Sequence, residues 1–166
     1  MANSGKVLAL IGGILTLLGT FLFSLMGDPV SGVYVYGWSM LNIDDVFISA
    51  ASLPFADGWI WWVIGIVAIF YFLSGFIQLL GVRSRIAALL GALIPLAVAV
   101  FVVLGFTGVY IDIAFIIAIV FSRPELATGI FPVSFEYSFM DLGLGAILIA
   151  LGSLLALISV FMSRED

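Results

Sequence analysis

Four stretches of this 166-residue chain run without a single charged side chain: Val7 to Met26, Trp59 to Leu80, Ile86 to Phe106 and Leu142 to Met162. About 20 residues of α-helix rise roughly 30 Å, the thickness of the hydrocarbon core of a bilayer. The pattern therefore predicts transmembrane helices over 7–26, 59–80, 86–106 and 142–162. A tight connection at 81–85 and two long stretches, 27–58 and 107–141, join them. Lys6 before the first stretch is a feature of signal peptides. The apolar run is longer than a usual signal core, however, and no small-residue cleavage site stands at Leu25-Met26-Gly27. A retained helix is expected.

The two long stretches carry a different pattern. Val33-Tyr34-Val35-Tyr36-Gly37-Trp38 is rich in β-branched and aromatic residues, Asn42-Ile43-Asp44-Asp45 offers turn chemistry, and Val46-Phe47-Ile48-Ser49 resumes an extended-looking run. Gly27-Asp28-Pro29 is expected to end the first helix. Farther on, Phe131, Val133, Phe135, Tyr137 and Phe139 alternate with Pro132, Ser134, Glu136 and Ser138, giving one aromatic and one polar face. Pro132 confines that run to an edge or a strand start. The expectation is a small outer sheet in which a 131–139 strand joins a 33–48 hairpin. The segment 108–121 is apolar apart from Asp112 and too short to cross and return. It reads as a projecting or interfacial helix ending before Ser122-Arg123-Pro124, with an outward extension of the third helix or a further strand as alternatives. Pro124-Glu125 looks like a fresh helix start.

Composition agrees with lipid as the solvent. Hydrophobic residues make up 64% of the chain and charged residues 9%, whereas soluble domains are about half apolar and a quarter charged. Under an even number of spans, Lys6, Arg83, Arg85 and Arg164 share one side, and Arg123 alone lies on the other. The positive-inside rule then puts both termini and the 81–85 connection in the cytoplasm. Asp28, Asp44, Asp45, Asp57, Asp112, Glu125, Glu136 and Asp141 fall outside. Trp59, Trp61 and Trp62 stand where the second helix meets the outer interface, and read as an aromatic anchor rather than a ligand-stacking platform. A multi-pass protein of the cell membrane is expected.

Candidate chemistry is sparse. The chain has no Cys and no His, which removes disulfides, thiol catalysis, zinc–thiolate sites and the commonest general base. A net charge of -5 argues against nucleic acid and against a polybasic lipid-binding run. No ionisable residue lies inside the four stretches, so a proton relay is not expected from this chain alone. Their polar residues are Thr16, Thr20, Ser24, Ser74, Gln78, Ser153 and Ser159. The hydroxyls can bond back to the preceding helical turn, and Gln78 reads as a structural bridge to a neighbouring helix or to water. Asp44, Asp45 and Asp57, with Asp28 or Glu136, are the only candidates for an oxygen-ligand cation site, and their spacing is not that of an EF-hand. Gly12-Gly13 lacks the lysine and hydroxyl of a phosphate loop. No enzyme and no cofactor are expected. Small residues recur four apart at Ala9 and Gly13, Ala88 and Ala92, Ala146 and Ala150, and Gly152 and Ala156. Such pairs let helix backbones approach, within one bundle or, as the alternative, across a dimer seam. Pro95 either kinks the third helix or is absorbed by local packing.

The layout resembles that of claudin-like tetraspan proteins: four helices, termini inside, a long first outer loop and strand-like segments in both outer loops. Trp38 stands in the first loop without that family's Gly-Leu-Trp element or its cysteine pair, so no functional residue is carried over. The expected fold is an all-α transmembrane four-helix bundle bearing a small extracellular sheet. The expected function is non-catalytic: contact with the bilayer and with other membrane subunits or itself. Alternatives are an oligomeric small-solute or cation channel or carrier, and a cofactor-free subunit of a redox or biosynthetic membrane complex.

Overall fold

The computed structural model describes residues 3–28, 32–38, 58–106, 134–135 and 141–163. Four helices, α1 (Ser4–Phe21), α2 (Gly58–Leu80), α3 (Arg85–Phe106) and α4 (Leu144–Phe161), alternate in direction around a ring in which each packs on the next and α4 closes on α1. Helix α1, residues Arg85–Leu104 of α3, and α4 are each long and apolar enough to cross a membrane, which marks the chain as a membrane protein. The bundle is built inside out relative to a soluble one. Its fully buried residues include Ala9, Ala88, Ala92 and Ala156, whereas Phe161, Ile86, Leu80 and Ile69 lie 82%, 70%, 60% and 59% exposed. Large apolar side chains pointing outward are a liability in water and the normal condition in lipid.

At one end of the bundle sits a small sheet of strands β1 (Ser24–Asp28), β2 (Val33–Tyr36), β3 (Ser134–Phe135) and β4 (Asp141–Gly143), ordered β2-β1-β4-β3. All neighbours are antiparallel. Strand β1 sets Met26 opposite Val35 on one side and Leu142 on the other, and β3 sets Phe135 opposite Leu142. The β1–β2 ladder slips at Leu25, between Ser24 and Met26. The connection between those strands returns through Gly32, whose φ of +71° lies in the left-handed region that glycine enters without penalty.

The first and fourth helices differ from the expected spans, for one reason. Helix α1 ends at Phe21 rather than Met26; Leu22 and Phe23 close it with amide bonds back to the Leu18 carbonyl. Residues 24–28 then form β1, so Gly27-Asp28 lies in a strand instead of terminating a helix. Likewise Leu142 belongs to β4, and α4 begins at Leu144. Leu25 and Met26 are consecutive and both buried in the apolar cluster beneath the sheet, Leu25 at the slip in the ladder. A short buried strand with such an apolar run is indistinguishable by pattern from another turn of helix. The pairing also differs. Val33–Tyr36 is a strand, as its composition predicts, but it pairs with β1; the residues 46–49 of the expected hairpin lie outside the described set. Ser134–Phe135, the described part of the expected 131–139 strand, pairs among the described residues with β4, in the same sheet as Val33–Tyr36. The segment 108–121 and the start at Pro124 also lie outside the described residues.

Helices α2 and α3 match expectation closely, and α3 runs through Pro95 without interruption. The main apolar cluster lies beneath the sheet, where Leu25, Met26 and Val35 meet Tyr71, Ala99, Val102, Ala146 and Ile149. The most extensive helix contact is that of α1 with α4. A Cβ placed on Gly12 would lie 2.6 Å from the Gly152 carbonyl oxygen, and one on Gly19 would lie 2.6 Å from that of Gly145. The two helices meet backbone to backbone there, with Ala156 and Ile149 alongside. Gly12→Ala is expected to lower stability by about 2 kcal/mol through overpacking against an unyielding backbone, whereas exposed Leu154→Ala changes it by less than about 0.5 kcal/mol. Unfolding in mild detergent, followed by steric trapping or SDS titration, measures both.

Candidate functional site

The polar residues inside the helices are where function would be sought, and most of them hold the helices together. Ser74, Ser153 and Ser159 each donate to a carbonyl one turn back, those of Tyr71, Ile149 and Ala156, at 2.5, 2.7 and 2.6 Å. This is the local bonding that lets a hydroxyl sit in an apolar helix without a ligand. Ser24 lies in β1, outside the helices.

Thr16 and Gln78 do something else. The Thr16 hydroxyl on α1 donates to Gln78 Oε1 on α2 at 2.9 Å, and Gln78 Nε2 donates to the Gly91 carbonyl on α3 at 2.8 Å. All of this is buried. The availability of the Gly91 carbonyl has a covalent cause. In a continuous helix it would accept the amide of the residue four positions on, and that residue is Pro95, which has no N–H. The proline frees an acceptor in an apolar interior, and Gln78 satisfies it. Glycine at 91 makes the reach possible, since a Cβ there would lie 2.7 Å from the Gln78 backbone nitrogen and 2.9 Å from its Cγ. On the far side, a Cβ on Gly152 would lie 2.6 Å from Thr16 Oγ1. One polar tie thus touches all four helices at one level.

A second polar pair lies closer to the sheet. The hydroxyls of Thr20 and Tyr71 are fully buried and face one another, yet among the described residues neither meets the geometry of a hydrogen bond to a partner. Gly37, just past β2, covers them so closely that a Cβ there would lie 2.5 Å from the Tyr71 oxygen. Unbonded buried hydroxyls cost about 1–3 kcal/mol each.

The residues singled out by sequence occupy different parts of the fold. Ala9 and Gly13, Ala88 and Ala92, Ala146, and Gly152 with Ala156 are buried in the bundle, and Ala150 is half-buried against the apolar cluster. Gly13 sits against Leu79, and Ala88 against Gly81. Lys6, Arg83 and Arg85 lie at the end of the bundle opposite the sheet, where the Gly5 amide bonds to the Ser163 carbonyl at 3.4 Å. Trp59, Trp61 and Trp62 belong to the first turns of α2, at the sheet end. Asp44, Asp45, Asp57, Glu136 and Arg164 lie outside the described residues. Asp28 and Asp141 are in paired strands; among the described residues no group of three acidic side chains gathers to hold a metal.

The principal seam was missed by the four-residue spacing. Gly5, Gly12 and Gly19 recur every seven residues on α1, as Gly145, Gly152 and Ser159 do on α4, and all six are buried. A seven-residue repeat of small residues is the available signal, since it keeps one helix face toward one partner.

Gln78→Leu is expected to cost about 1–3 kcal/mol, because it strands the Gly91 carbonyl. In a Pro95→Ala background the restored amide can take that carbonyl, so the same substitution is expected to cost about 1 kcal/mol less. A double-mutant cycle in detergent measures the coupling; additive losses would refute the link. Tyr71→Phe is expected to leave stability unchanged or to raise it by about 1 kcal/mol, since it removes an unbonded hydroxyl.

No protein-family model matches this chain, and neither do any curated protein or solved structure.

Proposed function

We propose that this is a four-span integral protein of the cell membrane, with both ends in the cytoplasm, that acts without catalysis through contacts with other membrane proteins. It would serve as an accessory subunit or a self-assembling tetraspan of claudin-like layout. The observation that carries the reading is the Thr16–Gln78–Gly91 tie: the buried amide is committed to joining helices, not held ready for a solute or a reaction. Helix α2, 23 residues long and uncharged, supplies the fourth span.

Charge placement supports the orientation. Alternating helix directions collect Lys6, Arg83 and Arg85 at one end of the bundle, while Asp28 and Asp141 belong to the sheet at the other. Basic residues held on one side are the signature of a cytoplasmic face. The sheet then projects outward with β2 and β3 as its edges among the described residues, and an edge strand is a ready template for pairing with another chain.

Two measurements test this. The chain has no native cysteine, so Arg83→Cys gives one unique thiol. Impermeant maleimide is expected to label it only after cells are opened; labelling of intact cells would invert the orientation. Blue-native electrophoresis with crosslinking in mild detergent is expected to show a complex with partner subunits or further copies. A strictly monomeric species with no crosslinked partner counts against the contact role, and solute flux through reconstituted liposomes would favour a channel.

A further inference from the structure

We propose that the α2–α3 turn is a docking point for the headgroup of an anionic phospholipid, gripped by Arg83 and Arg85. The inference rests on the bilayer reading above and adds a ligand class to it. The turn is rigid. Gly81 and Val82 amides donate to the Ile77 and Leu79 carbonyls at 3.2 and 3.1 Å, and those of Arg83 and Ser84 both donate to the Leu80 carbonyl at 2.9 and 3.1 Å. Ser84 Oγ then accepts from the Ala87 amide at 3.4 Å, starting α3. Gly81 is pressed against the first turn of α3, where a Cβ would lie 2.7 Å from that of Ala88. The arginines therefore stand on a fixed base, and only their side chains must be ordered when a ligand binds.

Both arginines are exposed, and among the described residues neither joins an ion pair. The flanking apolar residues Leu80 and Ile86 are 60% and 70% exposed, and Val82, next to Arg83, is half-buried. Exposed greasy side chains on either side of the turn set the pair where hydrocarbon gives way to headgroups. A guanidinium binds phosphate oxygens through two parallel N–H donors, and two of them can clamp one phosphodiester. The described acids, Asp28 and Asp141, sit at the opposite end, beyond a Debye length. Two arginines fall short of the four to eight basic residues of a diffuse polybasic patch. On a chain of net charge -5 the attraction must be local contact, not a general field. A zwitterionic lipid offers the same phosphate with its charge already neutralised by choline, so selectivity for anionic lipid follows.

The test is native mass spectrometry of the full chain in neutral detergent, with phosphatidylglycerol and phosphatidylcholine of identical acyl chains added in equal amount. Adducts of phosphatidylglycerol are expected to be favoured roughly ten- to thirty-fold, about fivefold per arginine. Joint Arg83→Gln and Arg85→Gln substitution is expected to bring the ratio near unity. Joint substitution by lysine, which keeps the charge, is expected to retain part of the preference; equal loss in both variants would mark a folding effect and overturn the proposal. So would equal binding of the two lipids by the native chain, or an undiminished preference in the glutamine variant. Excess soluble glycerol phosphate is expected not to displace the lipid, and displacement would reassign the contact to a free phosphoanion and overturn it too. Carbonate extraction of native membranes reports on bilayer integration separately, so a failure of lipid selectivity is distinguishable from a failure of the membrane reading.

Discussion

The close approach of α1 to α4 is the constraint on which the rest of the structure depends. With glycine at 12, 19, 145 and 152, the two backbones touch without intervening side chains. In lipid no hydrophobic force drives helices together, so close packing and its dispersion energy must do the work. The same antiparallel relation continues beyond the helices: α1 runs into β1, β4 runs into α4, and β1 pairs with β4. Glycine is also needed at this junction, because a Cβ on Gly143 would run into the Ser24 carbonyl. The sheet is an extension of the helix seam, not an independent unit. This explains how so short a ladder stays ordered without disulfides, since isolated strands of two to five residues would not.

The polar tie reflects the same scarcity of side-chain bulk. A proline in a buried helix leaves a carbonyl that must find a donor, because no water is at hand. Gln78 meets that need from the neighbouring helix and is itself fixed by Thr16. The tie discriminates registers: sliding α2 along α3 by one turn would separate the amide from the only carbonyl freed by Pro95. The Thr20–Tyr71 pair shows the opposite outcome, in which tight packing beneath Gly37 comes at the expense of hydrogen bonding.

How much of this was legible in the sequence depended on whether the deciding contact was local. The limits of α2 and α3 were readable because Gly58, Gly81 and the Arg83-Ser84-Arg85 turn punctuate them. The outer ends of α1 and α4 were not, since Leu25, Met26 and Leu142 are apolar whichever conformation they take. Strand composition at Val33–Tyr36 was plain, yet its partner was fixed by where α1 delivers the chain. Gln78 was recognisable as structural. Its acceptor was hidden, although Gly91 and Pro95 stand four apart, because only the proximity of α2 makes the freed carbonyl reachable. Scanning for small residues four apart found Gly152 and Ala156 but passed over the seven-residue glycine repeat that lines the tightest seam.

The adjacency of the first and last helices also has a kinetic side. During synthesis α1 is complete at Phe21, but the partner with which it packs most extensively begins only at Leu144. At the usual pace of translation that interval is roughly 6 to 25 seconds. Until α4 emerges, the glycine face of α1 has only lipid or transient neighbours to cover it, and β1 lacks the strand that should lie beside it. A chain cut short before its final helix would therefore keep an open, backbone-exposing groove, the kind of surface by which quality-control machinery can tell an unfinished membrane protein from a finished one.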